Sequence, residues 1–154
     1  MKKICHKDIV IISALRNNAR ESLKVIGAKF SIPTSTVYDK IRSYEKDVIK
    51  KHVTLIDFSK MGFLCQVTIA IKLAEYQIKE LYDFAKNRKE VNNAYEINHG
   101  YDILMECIFP SRTEMKLFLE ELENNFKIQE KHIFETISQI KQEAFMAEMP
   151  DLLN

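Results

Sequence analysis

Apolar residues along the first part of the chain recur every three or four positions, the spacing of a helix with one buried stripe. The run KDIVIISALRNN reads as a short helix, with Asp8 near its positive N-terminal end and Asn17 and Asn18 as stop residues. Ser22 is placed to cap a second helix, LKVIGAKF, whose Leu23, Ile26 and Phe30 fall on one stripe. Gly27 costs that helix about 1 kcal/mol relative to alanine, which predicts close approach by another helix, where a side chain would clash. Pro33 breaks the chain. Thr34 to Lys46 then form a third helix with Val37, Ile41 and Tyr44 inward and Ser35, Thr36, Tyr38, Asp39, Arg42 and Lys46 outward.

The period then changes from that of a helix to that of a strand. DVIKKHVTLIDFS alternates and is rich in β-branched residues, so it predicts a strand or linking ribbon. CQVTIAIKL places Val67, Ile69, Ile71 and Leu73 on one face of a half-buried strand. YQIKELYDFAKNR returns to helical spacing with Ile78, Leu81, Tyr82 and Ala85. VNNAYEI and YDILMECIF read as strands joined by the turn NHG. Ser111 and Glu114 form a capping-box pattern ahead of a helix with Met115, Phe118 and Leu122 inward, and HIFETISQIK closes as a final strand. The order β-α-β-β-α-β is that of a ferredoxin-like unit with two helices on one sheet face. The fold class is therefore α+β: an N-terminal (winged) helix-turn-helix, a β-ribbon, and a C-terminal ferredoxin-like βαββαβ sandwich. Expected boundaries are 1–60, 61–143 and a tail, 144–154. The uncovered sheet face calls for a cover, and a second copy of the sheet is one economical solution.

Charge sharpens this division. The whole chain has a formal charge of only +1, but residues 1–60 hold 13 Lys/Arg against 6 Asp/Glu, whereas residues 61–154 hold 10 against 16. A basic module that meets a polyanion, joined to a module with other work, explains the asymmetry. In a helix-turn-helix the last helix enters the DNA major groove N-terminal end first, while nearby cations hold phosphates. Ser35, Thr36 and Tyr38 then face base edges, Arg20, Arg42, Lys46 and Lys50 face the backbone, and Thr34 and Asp39 complete the DNA-contacting set. Lys50, Lys51 and His52 sit where a wing would meet phosphate, or else are solvated edge residues. The plain alternative for the whole module is a three-helix bundle with a solvated polar face.

Chemistry elsewhere is sparse. Cys5, Cys65 and Cys107 are widely spaced and odd in number, which argues for reduced thiols in a cytoplasmic protein rather than a disulfide framework. The start MKKICHKDIVIISAL mimics a signal peptide, but Asp8 interrupts it and no small-x-small site follows. No run approaches the ~20 apolar residues of a membrane span. His6, His52, His99 and His132 are scattered, with no metal-ligand spacing, so no metal or cofactor is expected. The six methionines read as core filler. The acidic balance of residues 61–154, with Tyr101, Asp102 and Glu106, is the sole support for a sensor or enzyme on the sheet, and solvated strand ends are the plainer account of those acids.

Four strings carry a resemblance: NNARES after the first helix, IPTSTVYDKIRSYE at the third, VIKKHVTLID in the ribbon, and GYDILMECIFPS across the paired central strands. With the domain order they resemble the Lrp/AsnC family of feast/famine regulators over roughly residues 4 to 143, and the third-helix string is similar to archaeal members. The resemblance implies a transcription regulator that binds double-stranded DNA as a homodimer, with tetramers or octamers built from dimers. It also implies an amino-acid effector near the turn Asn98, His99, Gly100, Tyr101, Asp102, with Thr136 and Ser138 of the final strand as neighbours. The family turn usually reads Gly-Asp-x-Asp, and this chain keeps only the last acid. Ser31 stands where glycine is common, and Asp47 where the family usually has glycine before Val-Ile. An architectural protein that wraps DNA without a ligand is the alternative that keeps the DNA. In the tail, Phe145, Met146 and Met149 either pack on a partner subunit or fray.

Overall fold

The computed structural model describes residues 4–75 and 77–147. They divide into two compact units, one built from the chain up to Leu55 together with the segment from Ile140, the other from Ile56–Gln139.

The first unit holds α1 (His6–Asn17), α2 (Leu23–Phe30) and α3 (Thr34–Tyr44). Each boundary has a local cause. Asp8 closes a capping box with Cys5 at the start of α1. The Asn18 amide bonds the Ala14 carbonyl at its end. Ser22 Oγ accepts the Val25 amide at 3.2 Å, as its position predicts. Beyond α2, Ser31 adopts the left-handed conformation, φ 53°, which lets the chain reverse into Pro33. Gly27 is closely approached, but by the turn rather than by another helix as expected: a Cβ there would lie 2.6 Å from the Ile32 carbonyl oxygen. Val10, Ile11, Ile26, Ile32, Val37, Ile41 and Tyr44 form the core, with Leu23 and Phe30 packed at its edge.

The tail returns to this unit. Arg16 on α1 donates from Nε to the Phe145 carbonyl at 2.6 Å and from Nη2 to the Glu143 carbonyl and carboxylate, both at 2.9 Å. Phe145 stays largely exposed and Met146 is half-buried. Met149 lies outside the described residues.

The second unit is an antiparallel sheet of β1 (Cys65–Leu73), β2 (Val91–Glu96), β3 (Ile103–Phe109) and β4 (Ile128–Glu135), in the order β2-β3-β1-β4. Helices α4 (Ile78–Asn87) and α5 (Arg112–Asn125) complete the βαββαβ sequence. Alternation in β1 and β3 sends Val67, Ile69, Ile71, Met105, Cys107 and Phe109 into one core with Leu81, Ala85, Phe118 and Leu122 of the helices. Ser111 Oγ accepts the Glu114 amide at 3.3 Å and caps the start of α5, the serine half of the expected capping box. Burial pushes the Cys107 thiol up to about 12. The ladder places Thr68, Leu104, Tyr95, His132 and Phe134 on the face without helices. There Tyr95 and Phe134 are 46% and 58% exposed.

Two expectations are corrected. The alternating stretch after α3 forms no ladder within this chain: residues 49–57 have no regular structure, and Phe58–Met61 form a short 3-10 helix. Alternation marks a segment suited to pairing, but a strand exists only where a second edge meets it. The final strand starts and ends earlier than HIFETISQIK. β1 starts at Cys65, so β4 finds its partners between Leu73 and Val67, with one further bond from the Thr136 amide to the Gln66 carbonyl at 2.9 Å. Thr136 and Ser138 therefore lie past the strand, exposed. Among the described residues no helix is long and apolar enough to cross a membrane.

Candidate nucleic-acid interface

Three buried residues at helical spacing, Val37, Ile41 and Tyr44, orient α3, and the opposite face is left to solvent. Thr34, Ser35, Tyr38, Asp39 and Arg42 lie exposed on it, Thr36 is half-buried, and Lys46 follows in the turn beyond. The Arg42 guanidinium lies 5.8 Å from the Tyr38 ring centre, a cation–π contact one helical turn apart. Its Nη1 is also 3.9 Å from Glu45, at two-thirds side-chain exposure, so the pair holds it loosely. Lys50 and Arg20 are exposed within the same unit. An N-terminal end of small hydroxyls and a C-terminal end of cations on one solvent face matches the chemistry of base edges and phosphates. His52 Nε2 lies 3.7 Å from Glu45.

Beneath this face lies a polar cluster that the periodicity did not announce. Asp8 of α1 accepts from the Lys40 ammonium and the Tyr44 hydroxyl of α3, and its other oxygen accepts the Cys5 amide at 2.7 Å. Burial alone would raise the Asp8 pKa, but these hydrogen bonds outweigh it and hold the carboxyl well below the usual range. The Asp8 contact raises Lys40, while burial first and Asp8 second raise Tyr44. One sequence signal existed: a tyrosine, rather than an aliphatic residue, on the inner stripe must satisfy its hydroxyl.

The turn at residues 98–102, where the resemblance implies an effector, is well ordered by its own contacts. His99 and Gly100 have φ of 61° and 91°, making the turn tight, and Asn98 is exposed beside them. The two polar residues that follow already have partners. Tyr101 donates to Glu130 at 2.7 Å and sets its ring edge-on to His132. Asp102 Oδ2 accepts the Leu73 amide at 2.7 Å, and the Asp102 carbonyl accepts the Tyr82 hydroxyl at 3.3 Å. A cleft of about 570 Å³ opens nearby, lined by Ile78, Lys79, Glu80, Tyr82, Glu96, Ile97 and Asp102. Of the turn residues it touches Asp102 alone.

No family model matches the chain. Individual relatives do. An uncharacterised HTH-type transcriptional regulator of the archaeon Pyrococcus furiosus is 28% identical over 116 residues, covering 75% of this chain and 78% of that one. The HTH-type transcriptional regulator LrpB of Bacillus subtilis is 26% identical over 116 residues, again 75% and 78%. In three dimensions, AsnC of Escherichia coli superposes with a TM-score of 0.81 at 17% identity, over 91% of this chain and 96% of that one. Sequence and fold agree: the chain is similar in sequence to HTH-type transcriptional regulators and shares the fold of AsnC.

Proposed function

We propose that the chain is a sequence-specific DNA-binding transcription regulator in which α3 enters the major groove. The observation that carries this reading is the outward face of α3, with its hydroxyls, Tyr38 and Arg42 clear of the core. Ser35, Thr36 and Tyr38 discriminate bases, while Arg20, Arg42, Lys46 and Lys50 hold phosphates and give affinity its salt dependence. A homodimer closes over the helix-free sheet face, where Tyr95 and Phe134 lie exposed, and presents two copies of α3 to successive major grooves about 34 Å apart. An amino acid bound at the Asn98–Asp102 turn modulates the assembly.

Titration onto the gene's own upstream duplex and onto a scrambled duplex, at several salt concentrations, tests the DNA reading. Preference for the native fragment of about 10³ or more with a steep salt slope is expected. Equal, salt-sensitive binding to both overturns sequence specificity.

A second reading keeps the DNA and drops the effector: an architectural protein that wraps DNA. The engagement of Asp102 with the Leu73 amide favours it, because that acid is then committed to the sheet. Calorimetry across the twenty amino acids separates the two. Saturable binding of any one removes the second reading.

A further inference from the structure

The α3 core contacts are apolar, and apolar packing is non-directional. Val37, Ile41 and the Tyr44 ring hold the helix against its neighbours by close packing, with no directional bond among them. Rotation matters for reading: turning a helix by about 10° moves a side-chain tip ~6 Å from the axis by ~1 Å. That displacement takes a hydrogen bond of about 2.9 Å out of range.

The Asp8 cluster adds directional bonds to that packing. Lys40 and Tyr44 stand four residues apart, so they lie one above the other on α3. Both converge on a single carboxylate oxygen of Asp8. That carboxylate is itself fixed, because its second oxygen takes the Cys5 amide and Asp8 sits in the first turn of α1. The Asp8 side chain is 11% exposed and that of Lys40 28%, so solvent screens the contact only partly. Charge-assisted bonds in such surroundings are short and strongly oriented.

We propose that Asp8 is a positioning residue for DNA reading: from α1 it fixes the rotation and axial placement of α3 through Lys40 and Tyr44, and so sets the sequence choice of residues it does not touch. This rests on the assignment of α3 as the reading helix. A purely structural clamp would act through the folded fraction and weaken every DNA equally. A positioning clamp separates the two: nonspecific affinity, carried by flexible cations at the surface, survives, whereas discrimination falls.

The test uses the full chain and two probes, a duplex selected by the wild-type chain from a random pool and a scrambled duplex of the same base composition. For Asp8→Asn, the ratio of the two affinities falls by about tenfold or more, while affinity for the scrambled duplex stays within about threefold. Tyr44→Phe, which removes one hydroxyl and keeps the packing, lowers the ratio in the same direction. Lys40→Arg keeps the charge contact and retains the preference. Thermal melting accompanies each variant; if Asp8→Asn fails to fold, Tyr44→Phe decides. An unchanged ratio in both variants, or equal loss on both duplexes, overturns the inference while leaving the DNA reading intact. Failure of the wild-type chain to select any sequence overturns the DNA reading, and the inference with it.

Discussion

Asp102 accepts the Leu73 amide through Oδ2 at 2.7 Å, tying the start of β3 to the end of β1 where the ladder to β4 slips register. Leu73 is buried, so its amide has little access to water if the carboxylate is removed. Leaving such a donor unpaired costs about 1–3 kcal/mol. Asp102→Ala is expected to lower the denaturant midpoint by that amount with no amino acid present, and Asp102→Asn, which keeps an acceptor, by less. A neutral Asp102→Ala in ligand-free protein would show that the carboxylate serves something other than the sheet.

Tyr38 and Arg42 are assigned different work on the same face. Arg42→Ala is expected to weaken binding to all sequences and to reduce the magnitude of the salt slope by about one. Tyr38→Ala chiefly erodes preference among sites. Because the ring and guanidinium touch, the double variant should fall short of additivity by about 0.5–1 kcal/mol, the size of an exposed cation–π contact. Equal loss on preferred and scrambled DNA for Tyr38→Ala sinks the division of roles.

The turn ahead of α3 holds two positions where substitution acts in opposite directions. Gly27→Ala gains about 1 kcal/mol of helix propensity. It also drives a methyl to 2.6 Å from the Ile32 carbonyl oxygen, a backbone atom that moves only if the turn moves. Overpacking of this kind costs about 1–3 kcal/mol, so net destabilisation is expected. Ser31→Gly relieves a left-handed residue at φ 53° and should stabilise by about 0.5–1 kcal/mol. Melting temperatures of the two variants should move apart; a rise for Gly27→Ala would mean that the turn yields freely.

The sequence spoke most clearly where one residue's environment is set by its near neighbours. The stripe of α3, the Ser22 and Ser111 caps and the alternation of β1 follow from spacing, and all appear in the structure. What escaped depended on distant partners. The ribbon after α3 alternates as a strand must, yet its pairing is not a local property. The end of β4 was set by where β1 begins, some seventy residues earlier. Asp8 was legible as a helix N-terminal acid, but its junction with Lys40 and Tyr44 spans more than thirty residues. Asp102 was legible as an acid in a turn and not as a partner of Leu73. A motif places a residue type, and only the fold says which of its bonding sites are already taken.

Asp8 also gives the fold a specific acid sensitivity. Its pKa is depressed below 3.8: burial opposes the charged form, but bonds from Cys5, Lys40 and Tyr44 outweigh it. A depressed folded-state pKa contributes stability that is present above the unfolded-state value and is lost as pH falls toward the folded-state value. Lys40 shifts upward through the same contact, so its share persists until strongly alkaline pH. Replacing the carboxylate by Asn leaves Lys40 without its counter-charge and should cost about 1–3 kcal/mol at pH 7. The gap between wild type and Asp8→Asn should hold from pH 7 to about pH 5 and narrow steadily below that, because only the wild type has this carboxylate to protonate. Urea unfolding of both proteins at pH 7, 5, 4 and 3 reads the gap directly, and other carboxylates cancel in the difference. Parallel stability curves down to pH 3 would mean that the Asp8 charge contributes nothing beyond the shape of its side chain.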